Sequence, residues 1–121
     1  MMATLRILIV EDDGLIAALL EELLGQMGHD ICGIETTQEG ATLAAARARP
    51  DLVLLDVGLA EGDGQAAVAA ITLDRDVPCI FMTGALLKPE SLAPGAVVLR
   101  KPFSEPMLAK AIDDALRQRR L

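Results

Sequence analysis

Short apolar runs alternate along this chain with longer segments whose apolar residues recur at helical spacing. The runs predict five β-strands: Leu5–Val10, Asp30–Ile34, Leu52–Leu55, Cys79–Met82 and Val97–Leu99. Strands that alternate with helices in this way pair in parallel, and the helices pack on both faces of the sheet. The pattern therefore predicts an α/β fold with a doubly wound, five-stranded parallel sheet.

The predicted helices have recognisable ends. The end signals are Asp13 and Gly28 for the first helix, a Thr36–Glu39 capping box for the second, and Ser104 for the last. The apolar positions of the first helix are Leu15, Ile16, Leu19, Leu20, Leu23, Leu24 and Met27. A turn with Gly58, Gly62 and Gly64 leads to a short third helix at Ala66–Ile71. Two prolines limit Leu86–Pro94 to a short or irregular helix.

The length of 121 residues fits one domain with a sizeable core. No linker, internal repeat or change in composition interrupts the sequence, so we expect residues 1–121 to form a single domain. Hydrophobic residues make up 52% of the chain, which indicates a globular rather than a disordered protein. Because Phe81 and Phe103 are the only aromatic residues, the core must consist of aliphatic side chains and alanines.

Charge and hydropathy exclude several classes of protein. The net charge of −7 argues against direct binding to nucleic acid, which requires a basic surface. The apolar runs are too short to span a bilayer, and the N-terminus lacks the features of a signal peptide. Cys32 and Cys79 are isolated, which predicts buried free thiols in a reducing compartment and a cytoplasmic protein with no membrane contact. His29 matches no motif and is expected to be exposed, without a role.

Polar residues follow four of the five predicted strands. Glu11-Asp12-Asp13 comes directly after the first strand and Asp56 ends the third. Thr83 closes the fourth strand and Lys101 follows the fifth. The carboxyl ends of parallel strands lie along one edge of a sheet, where ligands bind. We therefore expect these side chains to converge, although they are spread over about ninety residues of sequence.

The acidic residues of this edge predict a Mg²⁺ site. Clustered carboxylates repel one another unless they are protonated or bridged by a cation. Mg²⁺ prefers oxygen ligands, uses one or two carboxylates, and keeps positions open for water or phosphate. We predict Asp12 and Asp56 as its side-chain ligands and the backbone carbonyl of Gly58 as a third ligand. Glu11 is expected to act through a bound water molecule.

Asp56 is the predicted nucleophile of the site. An aspartate beside Mg²⁺ can attack a phosphoryl donor and form an acyl phosphate. This transfer depends on positioning and on charge neutralisation more than on covalent help. The Lys101 ammonium would bind one phosphoryl oxygen, and the Thr83 hydroxyl or nearby backbone N–H groups another. The residues predict a phosphoacceptor that assists its own phosphorylation and dephosphorylation, rather than an enzyme.

Five pieces of the sequence resemble the receiver domain of two-component response regulators. They are Ile7–Asp13, Pro50–Asp56, Asp63-Gly64, Phe81–Gly84 and Leu99–Phe103. The resemblance covers the whole chain, and the order and spacing of these five pieces make it specific. The resemblance implies a flavodoxin-like fold with strand order 2-1-3-4-5. It implies Asp56 as the phosphoacceptor, Glu11 with Asp12 as the acidic pair, Thr83 as the switch hydroxyl, Lys101 as the phosphate-binding lysine, and a cis Lys101–Pro102 peptide. The donor would be a phosphohistidine on a sensor histidine kinase or a histidine phosphotransfer protein, and the output a contact with a downstream protein.

Two features depart from the common receiver pattern and resemble a subgroup with a Phe-Ala-Thr-Gly strand end. Val98 stands three residues before Lys101, where many receivers carry a Tyr or Phe whose ring moves inward on phosphorylation. The stretch from Thr83 to Lys101 is short for a regular fourth helix, and Met82 replaces the Ala of the subgroup. We therefore hypothesise that ordering of Leu86–Pro94, rather than an aromatic rotamer, reports phosphorylation.

Other functions fit the residues less well. A hydrolase of the haloacid-dehalogenase kind needs a second Asp two residues after the nucleophile, where Gly58 stands. A degenerate receiver that only binds proteins has no physical need of the acidic cluster, and a nucleotide-binding flavodoxin-like protein would carry a Gly-rich loop after the first strand. A stand-alone regulator and a receiver excised from a hybrid kinase both stay open. Gly58 also leaves Asp56 open to water, which predicts a short-lived phosphoryl group.

Overall fold

The computed structural model describes residues 4–58, 64–72, 76–84 and 96–118. Their elements are β1 (Arg6–Val10), α1 (Gly14–Gln26), β2 (Asp30–Glu35), α2 (Gln38–Ala48), β3 (Leu52–Asp56), α3 (Gly64–Ile71), β4 (Cys79–Thr83), β5 (Val97–Arg100) and α4 (Glu105–Gln118). Every predicted strand is present, with ends within about one residue of those expected. Gly62, Asp63 and Leu86–Pro94 lie outside the described residues.

The five strands form one parallel sheet in the order β2-β1-β3-β4-β5, which confirms the predicted topology. The central strand β3 is buried along its whole length, as its continuous apolar run predicts. The register aligns the carboxyl ends of the strands: Val10 pairs with Leu55, Asp56 with Met82, and Thr83 with Arg100. The residues that end or follow β1, β3, β4 and β5 therefore lie along one edge.

Two apolar cores lie on opposite faces of the sheet. Alternate residues of each strand point to opposite faces, so Ile7 and Leu54 join the core under α1 and α4. Leu8 and Leu55 join the core that includes residues of α2 and α3. The second core contains the buried alanines Ala41, Ala45 and Ala67. Aliphatic side chains and alanines thus fill most of the interior, as the composition predicts.

Three of the predicted helix ends are confirmed. The Asp13 carboxylate accepts hydrogen bonds from two amides in the first turn of α1. Gly28 follows the same helix with φ 92°, a left-handed conformation that glycine adopts without strain. The Ser104 hydroxyl accepts the N–H of Met107 at 3.3 Å at the start of α4.

The capping box predicted for α2 is wrong by one residue. Thr37, not Thr36, is the N-cap, and its hydroxyl accepts the Gly40 N–H at 3.0 Å. The reason is that β2 continues as far as Glu35, so Thr36 serves as the connection between the two elements. Glu39 then lies in the first turn of the helix, where its negative charge suits the helix dipole.

The prediction for His29 is wrong as well. Its imidazole is buried, with 5% of the residue exposed, and Nδ1 accepts the backbone N–H of Leu5 at 3.1 Å. The backbone N–H of His29 also donates to the carbonyl of Leu24, the last buried residue of α1. No sequence motif indicates this burial, because the contacts come from the start of β1 and the end of α1.

Other exposures also differ from the expectation. Leu15 is 85% exposed and Leu19 is 45% exposed, because the apolar residues of α1 cover a wider arc than the face that packs on the sheet. Cys32 and Cys79 are free, as predicted, but they are half-buried rather than buried. Within the described ranges, each helix is too short or too polar to cross a membrane.

Candidate functional site

Three carboxylates meet at the carboxyl edge of the sheet. Glu11 and Asp12 directly follow β1, and Asp56 is the last residue of the neighbouring β3. One oxygen of each residue lies within 4.8 Å of the others. Their exposure differs, since Glu11 is buried, Asp12 is exposed and Asp56 is 9% exposed. The predicted convergence of these acids is therefore present in the fold.

The Lys101 side chain reaches this cluster from the end of β5. Its Nζ lies 2.6 Å from Oε1 of Glu11 and 3.2 Å from Oδ2 of Asp56. The lysine and Glu11 are 90 residues apart in sequence, so the order of the strands is what brings them together. The backbone N–H of Lys101 donates to the Thr83 carbonyl at 2.8 Å, and the Lys101–Pro102 peptide is cis, as the resemblance implies.

Burial and charge act against each other on the pKa values of this ion pair. Burial raises the pKa of the Glu11 carboxyl, although the hydrogen bonds from Lys101 and from the Asp13 amide oppose it. For Lys101, burial lowers the pKa, but the carboxylates of Glu11 and Asp56 outweigh burial and leave the pKa above its ordinary value. Lys101 is therefore charged near neutral pH, which favours the ionised form of Glu11 despite its burial.

Both oxygens of Asp56 have a hydrogen-bond partner. Oδ1 accepts the N–H of Gly58 at 2.9 Å, and Oδ2 accepts from Lys101 at 3.2 Å. A β-carbon added at position 58 would lie 3.8 Å from Oδ1, which is ordinary van der Waals contact. Gly58 thus leaves open a space beside the carboxylate that a side chain would occupy.

Thr83 flanks the cluster at the end of β4, the strand next to β3. The residue is 5% exposed, and its hydroxyl donates to the carbonyl of Gly84 at 3.0 Å. In this conformation the hydroxyl is turned toward the loop that follows the strand. A change in the Thr83 side-chain rotamer is therefore what would bring it toward the neighbouring carboxylate.

The structure brings the predicted residues to one edge and adds a contact that the sequence did not indicate. Four predicted side chains form the cluster, Thr83 flanks it, and Gly58 contacts it through its amide. The additional contact is the backbone N–H of Asp13, which donates to Oε2 of Glu11 at 3.1 Å. Sequence motifs do not record such contacts, because every residue except proline has a backbone N–H.

The donor set suits a hard divalent cation. Carboxylate oxygens are the ligands that Mg²⁺ prefers, and this ion usually keeps several water molecules. Asp12 is exposed and Asp56 lies next to the open space at Gly58, so both carboxylates can be approached from solvent. Three carboxylates beside one ammonium also leave an excess of negative charge that a cation would balance.

Comparisons with known proteins agree on one family. The model of the response regulator receiver domain matches residues 7–113. The phyllosphere-induced regulator PhyR of Methylorubrum extorquens is 38% identical over 122 residues, which cover 95% of this chain and 44% of PhyR. The solution structure of the Erythrobacter litoralis PhyR receiver domain has a TM-score of 0.84 and 38% identity, and the match covers 95% of this chain and 92% of that one. The crystal structure of the anti-anti-sigma factor PhyR from Bartonella quintana has a TM-score of 0.85 and 30% identity, covering 98% of this chain and 50% of that one.

The match with the longer relatives is confined to part of their length. This chain spans less than half of the Methylorubrum regulator and half of the Bartonella protein. Receiver domains of response regulators act in phosphorelay signalling, and the sheet order of this chain agrees with that fold. Because the family model matches most of the sequence, the chain belongs to the response regulator receiver domain family.

Proposed function

We propose that residues 1–121 act as one receiver domain, a signalling switch that accepts a phosphoryl group on Asp56. The observation that carries this proposal is the position of the Lys101 ammonium, 2.6 Å from Glu11 and 3.2 Å from Asp56 at the edge of the sheet. An ammonium held beside a nearly buried carboxylate is poised to bind negative charge that is added to that carboxylate. The receiver family supports the same role.

The transfer exchanges one phosphorus bond for another. A carboxylate oxygen of Asp56 attacks the phosphorus of a phosphohistidine on a sensor histidine kinase or a histidine phosphotransfer protein. The phosphorus–nitrogen bond breaks, its electron pair stays on the imidazole, and Asp56 becomes an acyl phosphate. Lys101 would bind one phosphoryl oxygen, and the Thr83 hydroxyl would leave the Gly84 carbonyl to bind another.

Mg²⁺ is the cofactor that we propose for this site. Asp12 and Asp56 would hold it with their carboxylates, the backbone carbonyl of Gly58 would be a third ligand, and Glu11 would contribute through a water molecule. When bound, the ion neutralises negative charge on the phosphoryl group. The Gly58 N–H keeps Oδ1 of Asp56 in place at 2.9 Å, so one carboxylate oxygen has a fixed direction.

The output of the switch is proposed to be a contact with a downstream protein. The related Bartonella quintana protein is described as an anti-anti-sigma factor, which is a protein-binding role. A net charge of −7 disfavours direct contact with nucleic acid, and we propose a cytoplasmic site of action. The chain thus passes a signal by changing its affinity for another protein rather than by turning over a substrate.

Intact-mass spectrometry after incubation with acetyl phosphate and Mg²⁺ tests the proposal. The native chain should gain one phosphoryl group, which shifts its mass by about 80 Da. Asp56→Asn and native protein in EDTA should gain none, because the first lacks the nucleophile and the second the cation. If the native chain gains no adduct, even from a phosphorylated histidine phosphotransfer protein with rapid quenching, the chain works as a binding module instead.

A further inference from the structure

An exposed stripe runs along α2 on the side that faces away from the sheet. Glu39, Leu43 and Arg47 follow one another at intervals of four residues, so they lie on one face of the helix, and all three are exposed. Leu43 has 53% of its surface exposed, whereas Ala41 and Ala45 on the opposite side are buried. The helix therefore presents a large apolar side chain to solvent between an acidic and a basic one.

The stripe is symmetric about Leu43. Glu39 lies four residues before Leu43, and Arg47 lies four residues after it. The small residues Gly40 and Ala46 are placed in the same way, three residues before and three residues after. Glu39 and Arg47 are about 12 Å apart along the helix axis, which is too far for them to pair with each other. Neither forms an ion pair with another of the described residues, so both charges are available to an external partner.

A second copy of the same helix matches this arrangement. When two copies of α2 pack antiparallel about a two-fold axis at Leu43, the two leucines meet and Glu39 of each copy faces Arg47 of the other. Gly40 then faces Ala46, and these small residues allow the two helix axes to approach closely. A purely acidic or purely basic partner would instead place like charges together at one end of the stripe.

Repulsion between the two copies is limited. The neighbouring helix α3 carries no charged residue, so it adds no like charges beside the stripe. Each chain has a net charge of −7, but at about 0.15 M salt the screening length is only about 8 Å. Charges in contact across the interface therefore contribute more than the distant charges of the two copies.

We propose that α2 is a self-association surface, through which two copies of this chain form an antiparallel, two-fold symmetric dimer centred on Leu43. The inference does not depend on the function proposed for Asp56. Two such stripes are small beside the interfaces of about 1,200–2,000 Å² that hold stable complexes, so we expect a weak dimer with a Kd on the order of 0.1–1 mM. A contact of this strength matters where the chain is concentrated or where another molecule holds two copies together.

Sedimentation equilibrium of the unphosphorylated chain, at up to about 1 mM protein in about 0.15 M salt, tests the surface. The native chain should associate, and Leu43→Glu should raise the dimer Kd at least about tenfold, because it places two carboxylates together at the two-fold axis. Leu15→Glu is the control with the same change in charge, since Leu15 is 85% exposed but lies on α1. A native chain that is monomeric throughout, or a dimer that Leu43→Glu weakens no more than Leu15→Glu does, would overturn the proposal.

Charge reversal tests the two-fold arrangement. In Glu39→Lys, and likewise in Arg47→Glu, the residues that face each other in a dimer of identical copies have like charge, so each variant alone should raise the Kd about tenfold. The two substitutions change the net charge in opposite directions, so an effect of net charge alone would not weaken both. An equimolar mixture of the two variants should associate within about threefold of native, because opposite charges then face each other at both ends.

The mixture also guards against a folding defect. Both substitutions are at exposed positions, and unfolding curves show whether each variant is folded. Recovery of the dimer on mixing would mean that the loss in each variant alone came from the facing charges, since neither chain is altered by the mixing. A mixture as weak as the single variants would show that Glu39 and Arg47 do not face each other, and would overturn the antiparallel pairing.

Discussion

The backbone N–H of Leu5 donates a hydrogen bond to Nδ1 of His29 at 3.1 Å, and the Asp30 N–H donates to the Leu5 carbonyl at 2.9 Å. The histidine side chain thus adds a hydrogen bond next to the N-terminal ends of the paired strands β1 and β2. Because Nδ1 is an acceptor, the ring is neutral and carries its proton on Nε2. This Nε2 is buried and has no hydrogen-bond partner in the described part of the chain.

Acid should therefore weaken the fold through His29. Burial lowers the pKa of this histidine, although the Asp30 carboxylate opposes the shift. Below the pKa of an unfolded histidine, about 6.5, the imidazole takes up a proton in the unfolded chain but stays neutral in the folded chain. The free energy of unfolding therefore falls as pH falls. The hydrogen bond of the His29 backbone N–H to the Leu24 carbonyl involves no titrating group.

Urea unfolding between pH 5 and 8 measures this effect. His29→Asn is the matched control, since its Oδ1 can replace Nδ1 as acceptor but does not titrate. Below pH 6.5 we expect the free energy of unfolding of the native chain to fall relative to the variant by up to about 1.4 kcal/mol per pH unit. A difference that stays constant with pH would contradict the prediction. Since this is the only histidine, its imidazole NMR signals report the neutral form without assignment.

Arg6 should stabilise the C-terminal end of α2. Its Nη1 donates to the carbonyls of Ala48 at 2.6 Å and Arg49 at 3.4 Å, which the helix itself leaves without partners. Arg6→Met keeps much of the aliphatic stem and removes the donor, so we expect a loss of about 1 kcal/mol in urea unfolding. Arg47→Met is the control, because Arg47 is an exposed arginine in the last turn of the same helix. Equal effects of the two substitutions would show that the cap contributes nothing.

The N-cap of α2 gives a second pair of matched variants. Thr37→Ala removes the hydroxyl that accepts the Gly40 N–H and should lower the free energy of unfolding by about 1 kcal/mol. Thr36→Ala, one residue earlier and exposed, should change it by less than about 0.5 kcal/mol. A larger loss for Thr36→Ala than for Thr37→Ala would show that Thr36 is the N-cap, as the sequence predicted.

A side chain at position 58 should prolong the phosphorylated state. The added β-carbon of Gly58→Asn would lie 3.8 Å from Oδ1 of Asp56, and the backbone there does not require glycine. The amide side chain would hinder the approach of water to the acyl phosphate, so we expect several-fold slower loss of the adduct by intact mass. Gly25→Asn on exposed α1 is the control. Equal rates of adduct loss in the native chain and both variants would show that Gly58 does not affect the lifetime of the phosphoryl group.

The sequence was sufficient to predict the topology of the sheet and the polar residues that lie at the carboxyl ends of its strands. Asp56 and Lys101 could be assigned to one edge because every parallel strand ends on the same side of the sheet. The short contact between Lys101 and Glu11 could not, because it depends on side-chain rotamers and on the twist between β1, β3 and β5. The sequence pattern also could not show that Thr37 rather than Thr36 is the N-cap of α2, since both residues carry the same hydroxyl.

His29 and Leu15 show why exposure is harder to predict than topology. A histidine outside any motif is uninformative until the start of β1 is placed beside it. Leu15 fits the helical repeat of α1, yet it is 85% exposed because a helix buries only one side. Both cases depend on how far an element is rotated against the sheet, which short-range periodicity does not define.

The 90-residue separation between Glu11 and Lys101 has a consequence for when the chain can signal. The Lys101 ammonium contacts Glu11 and Asp56 only after β1, β3, β4 and β5 have assembled side by side. A short fragment of the chain therefore cannot form this cluster. A chain that is still being synthesised, or one that a protease has cut before β5, contains Asp56 but lacks Lys101. If Asp56 accepts a phosphoryl group as proposed, its phosphorylation therefore also reports that the sheet has assembled.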